Sequence, residues 1–425
     1  MGLPRVVVIG GGFGGLKTTR SLKNAQVKIT LVDRTNHHLF QPLLYQVASS
    51  ALGPGDIAYP IREILKNQKN VTVIMDEATK ILPKEQAVMF ASGRYLKYDY
   101  LVVAVGTKHS YFEHPEWEND APGLKNLGDA IKIRSKILYA FEQAEATDSR
   151  KQAEQFLTFV VVGGGPTGVE LAGAIGEIAH KTLLKNFRHI DPSQSKIYLV
   201  ESGAYILPTY PKDLSMQAEK DLSKLGVTIL KNSHIRHIEN DGVWIGDRKI
   251  SSTNIIWAAG NQAPELLSSL DVPQDYQRRI MILPDLSVPG YPEIFVIGDA
   301  AHLKDKQGKL LPGIAPVAIQ QGNYIGNLIA RDLRGSQRIP FKYKDMGVMA
   351  TIGKARAVAW VAGSEYTGFT AWMIWSLVHI VFLIGFRNRL IVMLEWLFWY
   401  ITEKRSSRLL YKAVQPKTYG RLNPE

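Results

Sequence analysis

The sequence of 425 residues contains no cysteine. This absence excludes structural disulfides, thiolate metal sites, iron–sulfur clusters and catalysis by a cysteine nucleophile. We also expect no signal peptide, because the apolar run at residues 6–9 is too short for one and leads directly into glycines. We therefore expect the chain to begin in the cytoplasm with a buried strand.

Long apolar segments are few, and the clearest lies near the C-terminus. Residues 366–386 contain no Asp, Glu, Lys or Arg. Their densest part, residues 371–386, would form a helix only about 24 Å long, which is marginal for a hydrocarbon core about 30 Å thick. A second apolar stretch, residues 390–401, is interrupted by Glu395. Half of the eight tryptophans lie in these two stretches, at positions 372, 375, 396 and 399.

Two interpretations of this tail are open. It forms either a buried hairpin or single spanning helix, or two helices that lie in one leaflet of a membrane. We favour the second, because Arg387 and Arg389 break a single span and tryptophan prefers the membrane interface. Basic residues of the tail would then meet anionic head groups, and these are Lys404, Arg405, Arg408, Lys412, Lys417 and Arg421.

The charge balance alone leaves the partner open. The chain has 51 Lys and Arg against 39 Asp and Glu, a formal net charge of +12. Such a balance suits nucleic acid, an anionic membrane or anionic ligands. Residues 387–425 hold eight Lys and Arg but only three Glu, so part of the charge is local to the tail and favours the membrane.

An internal repeat is the strongest signal in the sequence. VVVIGGGFGG at residues 6–15 resembles VVVGGGPTG at residues 160–168. Each copy is a β-branched run followed by G-x-G-x-x-G, in which the glycines permit a tight turn, backbone approach to a pyrophosphate and close helix packing. The phosphates would sit at a helix N-terminus. The glycines are Gly10, Gly12 and Gly15 in the first copy and Gly163, Gly165 and Gly168 in the second.

An acid follows the next predicted strand in each copy, Asp33 in the first and Glu201 in the second. Such an acid accepts hydrogen bonds from the ribose hydroxyls of an adenosine. Glu201 would repel a 2′-phosphate, and no Lys or Arg among residues 202–207 would neutralise one. The sequence therefore predicts NADH in preference to NADPH.

A third nucleotide element lies late in the chain. YPEIFVIGDA at residues 291–300 resembles the strand of FAD-binding reductases whose acid, here Asp299, binds the ribityl and pyrophosphate side of FAD. Strands ending at Gly106 and Gly260 resemble the segments that cross between the two domains. We expect an α/β fold in which residues 1–120 and 270–345 bind FAD and residues 121–269, inserted between them, bind NADH. Residues 346–425 would be the membrane-anchoring region.

The chain as a whole resembles the type II NADH dehydrogenases, single-subunit NADH:quinone oxidoreductases that do not pump protons. The resemblance covers nearly all of the sequence and includes HHLFQPLLYQV at residues 37–47, TIGKARAV at 351–358 and HIVFLIGFRNRL at 379–390. It implies FAD and NADH as cofactors, a membrane quinone as acceptor, a homodimer and a peripheral place on the cytoplasmic face of the cell membrane. Related disulfide reductases and sulfide:quinone oxidoreductases use cysteines, which this chain lacks.

The family's quinone motif, Ala-Gln-x-Ala-x-Gln, is altered here. The sequence reads APVAIQ at residues 315–320, so Gln320 is kept and Pro316 replaces the first Gln. Positions 316 and 320 share a helix face, and the loss of one amide removes a possible partner for a quinone carbonyl. Pro316 suits the first turn of a helix that begins near Ala315, and in the family this N-terminus faces the flavin.

Two further residues are candidates. Glu170 matches an acid that the family places near nicotinamide and flavin, although an acid in a first helical turn is also favoured by the helix dipole alone. His379, in the tail, is a candidate quinone contact or a structural histidine. No pattern indicates a metal site. The rival functions are a soluble NAD(P)H-dependent flavin reductase that serves a small redox protein, and a flavin-bearing redox sensor or nucleic-acid binder.

Overall fold

Two separate parallel sheets organise the chain, and this confirms the predicted α/β class. The computed structural model describes residues 2–405 and 407–410. In spatial order the first sheet consists of Ser287–Val288, Tyr291–Val296, Tyr100–Val103, Arg5–Ile9, Lys28–Asp33 and Val71–Met75. The second consists of Val227–Leu230, Lys196–Val200, Thr158–Val162 and Asn254–Trp257. Apart from the antiparallel edge strand Ser287–Val288, all pairs in both sheets are parallel.

The first sheet combines strands that are far apart in the sequence. Strand Tyr291–Val296 pairs with Tyr100–Val103, which in turn pairs with Arg5–Ile9. The second sheet uses only strands between residues 158 and 257. Such an arrangement is expected when one nucleotide-binding unit is inserted into the sequence of another. The domain limits at residues 120, 269 and 345 stay predictions.

Smaller sheets and helices complete the fold. The described helices of four or more residues, apart from short 3₁₀ turns, are Phe13–Ser21, Leu44–Ala48, Pro54–Ile57, Ile61–Leu65, Leu127–Ala146, Arg150–Phe156, Pro166–Glu177, the π-helical Ile178–Thr182, Lys212–Ser223, Ala315–Asp332, Gly368–Phe382 and Phe386–Thr402. Three-stranded antiparallel sheets are Ala78–Leu82 with Ala87–Phe90 and Tyr95–Lys97, Ile235–Glu239 with Gly242–Ile245 and Arg248–Ser251, and Val348–Gly353 with Arg356–Val361 and Ser364–Thr367. Two-stranded pairs are Lys108–His109 with Asn261–Gln262, His37–Leu39 with Ala58–Pro60, and Ile280–Met281 with Ala301–His302.

The central strands are buried on both faces. Every residue of Thr158–Val162 is buried, as are the last four residues of Arg5–Ile9, because elements pack on both sides of each parallel sheet. On the first sheet, helix Phe13–Ser21 lies against helix Ala315–Asp332. A Cβ at Gly322 would lie 2.3 Å from the carbonyl oxygen of Gly14, so the absence of a side chain at Gly322 permits this close helix contact.

The tail forms two helices, Gly368–Phe382 and Phe386–Thr402, joined by a turn in which Gly385 has a φ of +92°. One face of each helix is buried against the rest of the chain, with buried residues at every fourth position. They are Ala371, Trp375 and His379 in the first helix and Asn388, Val392 and Trp396 in the second.

The opposite faces of the tail helices are apolar and exposed. Leu377 is 66% exposed, Phe386 83% and Ile401 74%. Within residues 2–405 and 407–410, no helix has both the length and the apolar character needed to cross a membrane. The tail is therefore not the fully buried hairpin of the alternative interpretation.

One basic residue of the tail is placed differently from our prediction. Arg405, which we assigned to lipid head groups, is only 4% exposed and pairs with Glu177 at 3.1 Å. The prediction was wrong because a buried acid from the second nucleotide-binding unit, which the sequence pattern does not reveal, lies beside it. The head-group contacts predicted for Lys412, Lys417 and Arg421 lie outside the described residues.

Candidate active site

The two glycine loops have nearly the same geometry. Gly10 and Gly163 have φ values of +99° and +108°, which only glycine adopts without strain. A Cβ at Gly15 would lie 1.9 Å from the carbonyl oxygen of Gly10, and one at Gly168 would lie 1.9 Å from that of Gly163. The third glycine of each loop therefore lets the helix pack against the turn.

The middle glycines face open space. A Cβ at Gly12 or at Gly165 would have no atom of another described residue within 4 Å. Each of these glycines caps a helix, Phe13–Ser21 or Pro166–Glu177. Open space beside a glycine at a helix N-terminus fits a bound pyrophosphate, so both loops can accommodate the pyrophosphate of a dinucleotide.

The two acids hold the loops in the same way. Asp33 Oδ2 accepts a hydrogen bond from the Gly11 N–H at 2.6 Å, and Glu201 Oε2 accepts one from the Gly164 N–H at 2.7 Å. The other carboxylate oxygens accept from the backbone of Thr35 and Gly203. Each acid thus fixes its glycine loop and, because a carboxylate oxygen accepts more than one hydrogen bond, keeps capacity for a ribose hydroxyl.

Asp299 lies close to the N-terminal end of helix Ala315–Asp332. A Cβ at Gly313 would be 3.3 Å from the Asp299 carboxylate. The buried Gln321 ties this helix to the Asp299 turn, since its Oε1 accepts a hydrogen bond from the Gly298 N–H at 2.6 Å. The helix begins at Ala315 as predicted, with Pro316 in its first turn.

Gly106 and Gly260 lie where the chain passes between the two sheets. Both have positive φ, +65° and +68°. The strands that follow them, Lys108–His109 and Asn261–Gln262, pair antiparallel. The two crossing segments that the sequence predicts are therefore adjacent in the structure.

Gln320 is hydrogen-bonded on both of its amide atoms. Its Nε2 donates to the Lys344 carbonyl oxygen, and its Oε1 accepts from the Lys344 N–H, both at 2.9 Å. Its role in quinone binding stays a prediction, and the second N–H of Nε2 is the donor that these two bonds leave for it.

Glu170 lies in the second turn of helix Pro166–Glu177, beyond the first turn that we expected. The dipole of the helix N-terminus therefore does not by itself account for an acid at this position. Burial raises the pKa of its carboxyl well above the ordinary value, and a hydrogen bond from the Thr351 N–H, 3.4 Å away, opposes this only in part. Burial of Glu170 therefore favours its protonated, uncharged form.

A cleft, which we call the tail cleft, separates Glu170 from the tail helices. Its lining residues come from four parts of the chain, namely residues 45–51, helix Pro166–Glu177, strand Val348–Gly353 and the tail. Trp372, Trp375, Trp396, Trp399 and Arg405 form its tail side, and Tyr45, Gln46, Glu170 and Glu177 are among those opposite. The predicted site residues Gln320 and His379 are not among its lining residues.

His379 lies beside the tail cleft, in a row of aromatic rings. It stacks on Trp375 with centroids 4.1 Å apart and meets Phe40 edge-on at 6.0 Å. Phe40 in turn contacts Phe13, at the start of the first glycine-loop helix. Burial lowers the pKa of His379 to about 4, against the effect of its hydrogen bond to the Trp375 carbonyl oxygen. The ring is therefore neutral at pH 7.

Arg405 is the main residue of this region that sequence reasoning assigned to another place. Its guanidinium donates to the carbonyl oxygens of Ser49 and Ala174 and pairs with Glu177. Lys125, another residue that we did not single out, donates to Thr107 Oγ1 at 3.2 Å, and burial lowers its pKa while Asp299 opposes that shift. Single charged residues far apart in the sequence carry no signal of such contacts.

Comparisons with known proteins agree with this geometry. The family model of the pyridine nucleotide-disulphide oxidoreductases matches residues 4–322. The chain is 40% identical to the type II NADH:quinone oxidoreductase Ndh of Mycobacterium tuberculosis, over 94% of this chain and 89% of that protein. The chain therefore belongs to the type II NADH:quinone oxidoreductases, within the pyridine nucleotide-disulphide oxidoreductase family.

Solved structures share the fold at lower sequence identity. NDH2 of Plasmodium falciparum, solved in complex with NADH, superposes with a TM-score of 0.85 at 22% identity, covering 94% of this chain and 99% of that one. The sulfide:quinone oxidoreductase of Aquifex aeolicus superposes with a TM-score of 0.73 at 20% identity, covering 91% of each chain.

Proposed function

We propose that this protein oxidises NADH and passes two electrons through bound FAD to a membrane quinone, without pumping protons. The observation that carries the proposal is the tail cleft. It is lined on one side by Glu170, from the helix that begins at the second glycine loop, and on the other by tryptophans of helices whose outer faces are exposed and apolar. One cleft thus adjoins both a dinucleotide site and a membrane-compatible surface.

FAD is assigned to the first glycine loop. Gly10, Gly12 and Gly15 shape the loop that receives the pyrophosphate, and Asp33 lies at the ribose position. The remaining contacts would come from Gly106, Asp299 and the helix N-terminus at Ala315 and Pro316. FAD, when bound, supplies the chemistry that connects hydride transfer from a nicotinamide to reduction of a quinone.

NADH is assigned to the second loop. Gly163, Gly165 and Gly168 form the pyrophosphate cradle, and Gly260 lies at the crossing beside it. Glu201 would accept from the ribose hydroxyls and would repel a 2′-phosphate. Preference for NADH over NADPH follows from that charge.

Glu170 is proposed to donate a proton during the reduction of the quinone. Reduction of a quinone to a quinol takes two electrons and two protons, and the hydride of NADH brings two electrons with one proton. The other proton has to come from solvent through the protein. A carboxyl that lines the cleft and whose pKa is raised by burial can donate a proton and recover it.

The tail is proposed to lie in one leaflet of the membrane. Its apolar outer face matches a helix pair buried at the boundary between head groups and acyl chains, and tryptophans such as Trp372 and Trp399, which line the cleft, favour the membrane interface. The protein would then be peripheral on the cytoplasmic face and, as its resemblance implies, a homodimer. Quinone contacts at Gln320 and His379 remain part of this proposal.

The decisive experiment is a steady-state assay of the purified, flavin-loaded protein with NADH or NADPH and with ubiquinone-1 or menadione. We expect NADH-dependent loss of quinone and a clear preference for NADH. No quinone reduction, together with rapid reduction of a small electron-carrier protein, would support the soluble flavin reductase instead.

Membrane attachment is tested separately by washing membranes that carry the protein. We expect the protein to stay bound in high salt and to be released by detergent, because apolar burial does not depend on ionic strength. Complete release by salt alone would contradict the embedded tail and leave only electrostatic attachment.

A further inference from the structure

The quinone motif in this chain offers few free hydrogen-bond donors. Pro316 has no side-chain amide, and the Gln320 amide is hydrogen-bonded to the Lys344 backbone, which leaves one Nε2–H for another acceptor. A quinone ring has two carbonyl oxygens, which only accept hydrogen bonds. If the quinone is held by hydrogen bonds, donors from elsewhere in the chain are needed.

The tail cleft contains two donors of this kind. Trp375 and Arg405 both line it, and they are 1% and 4% exposed. Among the described residues, neither Trp375 Nε1 nor Arg405 Nε has a hydrogen-bond partner, although both atoms are buried. A buried donor without a partner costs about 1–3 kcal/mol, so two of them beside one cleft call for an acceptor.

Several of the neighbouring polar groups are already paired. Trp396 Nε1 donates to Gln46 Oε1 at 2.8 Å, and Gln46 Nε2 donates to the Tyr45 hydroxyl at 2.8 Å. The other guanidinium nitrogens of Arg405 bind Ser49, Ala174 and Glu177. These contacts hold the Arg405 fork in one orientation and balance its charge.

Indole rings form most of the tail side of the cleft. Trp372, Trp396 and Trp399 line it together with Trp375, and the Trp375 and Trp396 ring centroids are 5.3 Å apart. Indole faces pack well against a planar conjugated ring. The chemistry of the cleft is therefore that of a planar acceptor of hydrogen bonds.

We propose that Trp375 Nε1–H and Arg405 Nε–H are the donors that bind the carbonyl oxygens of the quinone ring in the tail cleft. The proposal rests on the proposed function and names residues that take over from the amide missing at position 316. Negative charge grows on the quinone oxygens as electrons arrive, so a fixed cationic donor stabilises the reduced state more than the oxidised one. The quinone receives two electrons and two protons and leaves as a quinol.

The test compares Trp375→Phe and Arg405→Lys with wild type in the flavin-loaded enzyme. Phe keeps an aromatic ring but has no N–H, and Lys can still pair with Glu177 but has no Nε donor. We measure KM and kcat for ubiquinone-1, and in parallel the reduction of ferricyanide, a small acceptor that takes electrons without a hydrogen-bonded site. We expect the KM for ubiquinone-1 to rise about three- to tenfold in each variant, with ferricyanide reduction within about twofold of wild type.

Trp117→Phe is the matched control. Trp117 is also buried and its Nε1 also has no partner among the described residues, but it packs in the core beside Trp257, away from the cleft. Its substitution should leave the KM for ubiquinone-1 unchanged.

Three outcomes would overturn the inference. An unchanged KM in both cleft variants, in an enzyme that reduces ubiquinone-1, would reject these donors while leaving the proposed function intact. A parallel fall in ubiquinone-1 and ferricyanide rates would assign both residues a structural role only. Failure of the wild type to reduce ubiquinone-1 or menadione would reject the proposed function and this inference with it.

Discussion

The two glycine loops have the same backbone geometry but differ in one side chain of the helix that follows each loop. Gly15 and Gly168 make the same 1.9 Å approach, and Asp33 and Glu201 make the same bond to the loop backbone. Two residues after the third glycine, however, the first copy has Lys17 and the second has Glu170.

This difference separates two tasks. The loop itself selects a dinucleotide, because backbone N–H groups and a helix N-terminus recognise phosphate in any such cofactor. The side chain in the second helical turn faces the neighbouring element against which its nucleotide-binding unit packs. Beside Lys17 this is helix Ala315–Asp332, since a Cβ at Gly322 would touch the Lys17 side chain, and beside Glu170 it is strand Val348–Gly353 and the tail cleft.

The largest effects should come from the third glycines. Gly15→Ala and Gly168→Ala each place a methyl group 1.9 Å from a carbonyl oxygen, which costs about 3 kcal/mol. We expect Gly15→Ala to be purified without flavin colour, and Gly168→Ala to keep its flavin but lose NADH affinity by roughly 100-fold. Flavin absorbance and NADH titration measure the two. Loss of flavin from Gly168→Ala would contradict the assignment of one cofactor to each loop.

The middle glycines should separate binding from folding. A methyl group at Gly12 or Gly165 meets open space in the described part of the chain, so the melting temperature of the cofactor-free protein should stay within about 2 °C of wild type. Binding should weaken about tenfold, for FAD in Gly12→Ala and for NADH in Gly165→Ala, because the pyrophosphate can no longer approach the backbone. Gly55→Ala, which also meets open space, is the control and should change neither.

Substitutions of the two acids should differ in their effect on the preference for NADH over NADPH. Glu201→Gln removes the charge that repels a 2′-phosphate, so the ratio of kcat/KM for NADH to that for NADPH should fall by about tenfold. Asp33→Asn should weaken FAD binding and leave that ratio unchanged. An unaltered ratio in Glu201→Gln would show that another residue sets the preference.

The smallest effect should be a change in stability with pH at Glu170. Its pKa is raised in the folded protein, so the folded state binds more protons than the unfolded state above pH about 4.5, and its stability falls as the pH rises. Glu170→Gln should therefore gain stability relative to wild type as the pH rises from 5 to 9, by about 1 kcal/mol or more.

Urea unfolding at both pH values measures this difference. Glu154→Gln is the control, because the Glu154 side chain is exposed and takes part in no buried contact. Its stability relative to wild type should be the same at the two pH values. A constant difference between Glu170→Gln and wild type from pH 5 to pH 9 would contradict a Glu170 pKa that is raised in the folded protein.

Much of the nucleotide-binding part could be predicted from the sequence. The glycine spacing, the β-branched runs and the acids at strand ends are local patterns, and local geometry decides what they do. The helix start at Ala315 followed in the same way from Pro316. The hydrogen bonds of Gln320 could not be predicted, because Lys344 approaches it only through the fold.

The tail shows the limit of local patterns most clearly. Its composition predicted two helices with an apolar surface, but it also placed Arg405 at lipid head groups. In the folded chain this arginine lies beside Glu177, which comes from a helix more than two hundred residues earlier. No local pattern contains that pairing, because it depends on how the tail returns to the second nucleotide-binding unit.

The sequence by itself determined two dinucleotide loops, the α/β class, the lack of thiol chemistry and an apolar tail. Each of these follows from composition or from residues within one turn or strand of each other. Only the tertiary structure decided that Glu170, Trp375 and Arg405 share one cleft. It also decided that the side-chain N–H groups of Trp396 and Gln46 are hydrogen-bonded within the protein, and that Gln320 is hydrogen-bonded to Lys344. Burial and pairing arise where distant segments meet, and these contacts determine which polar atoms remain for a substrate.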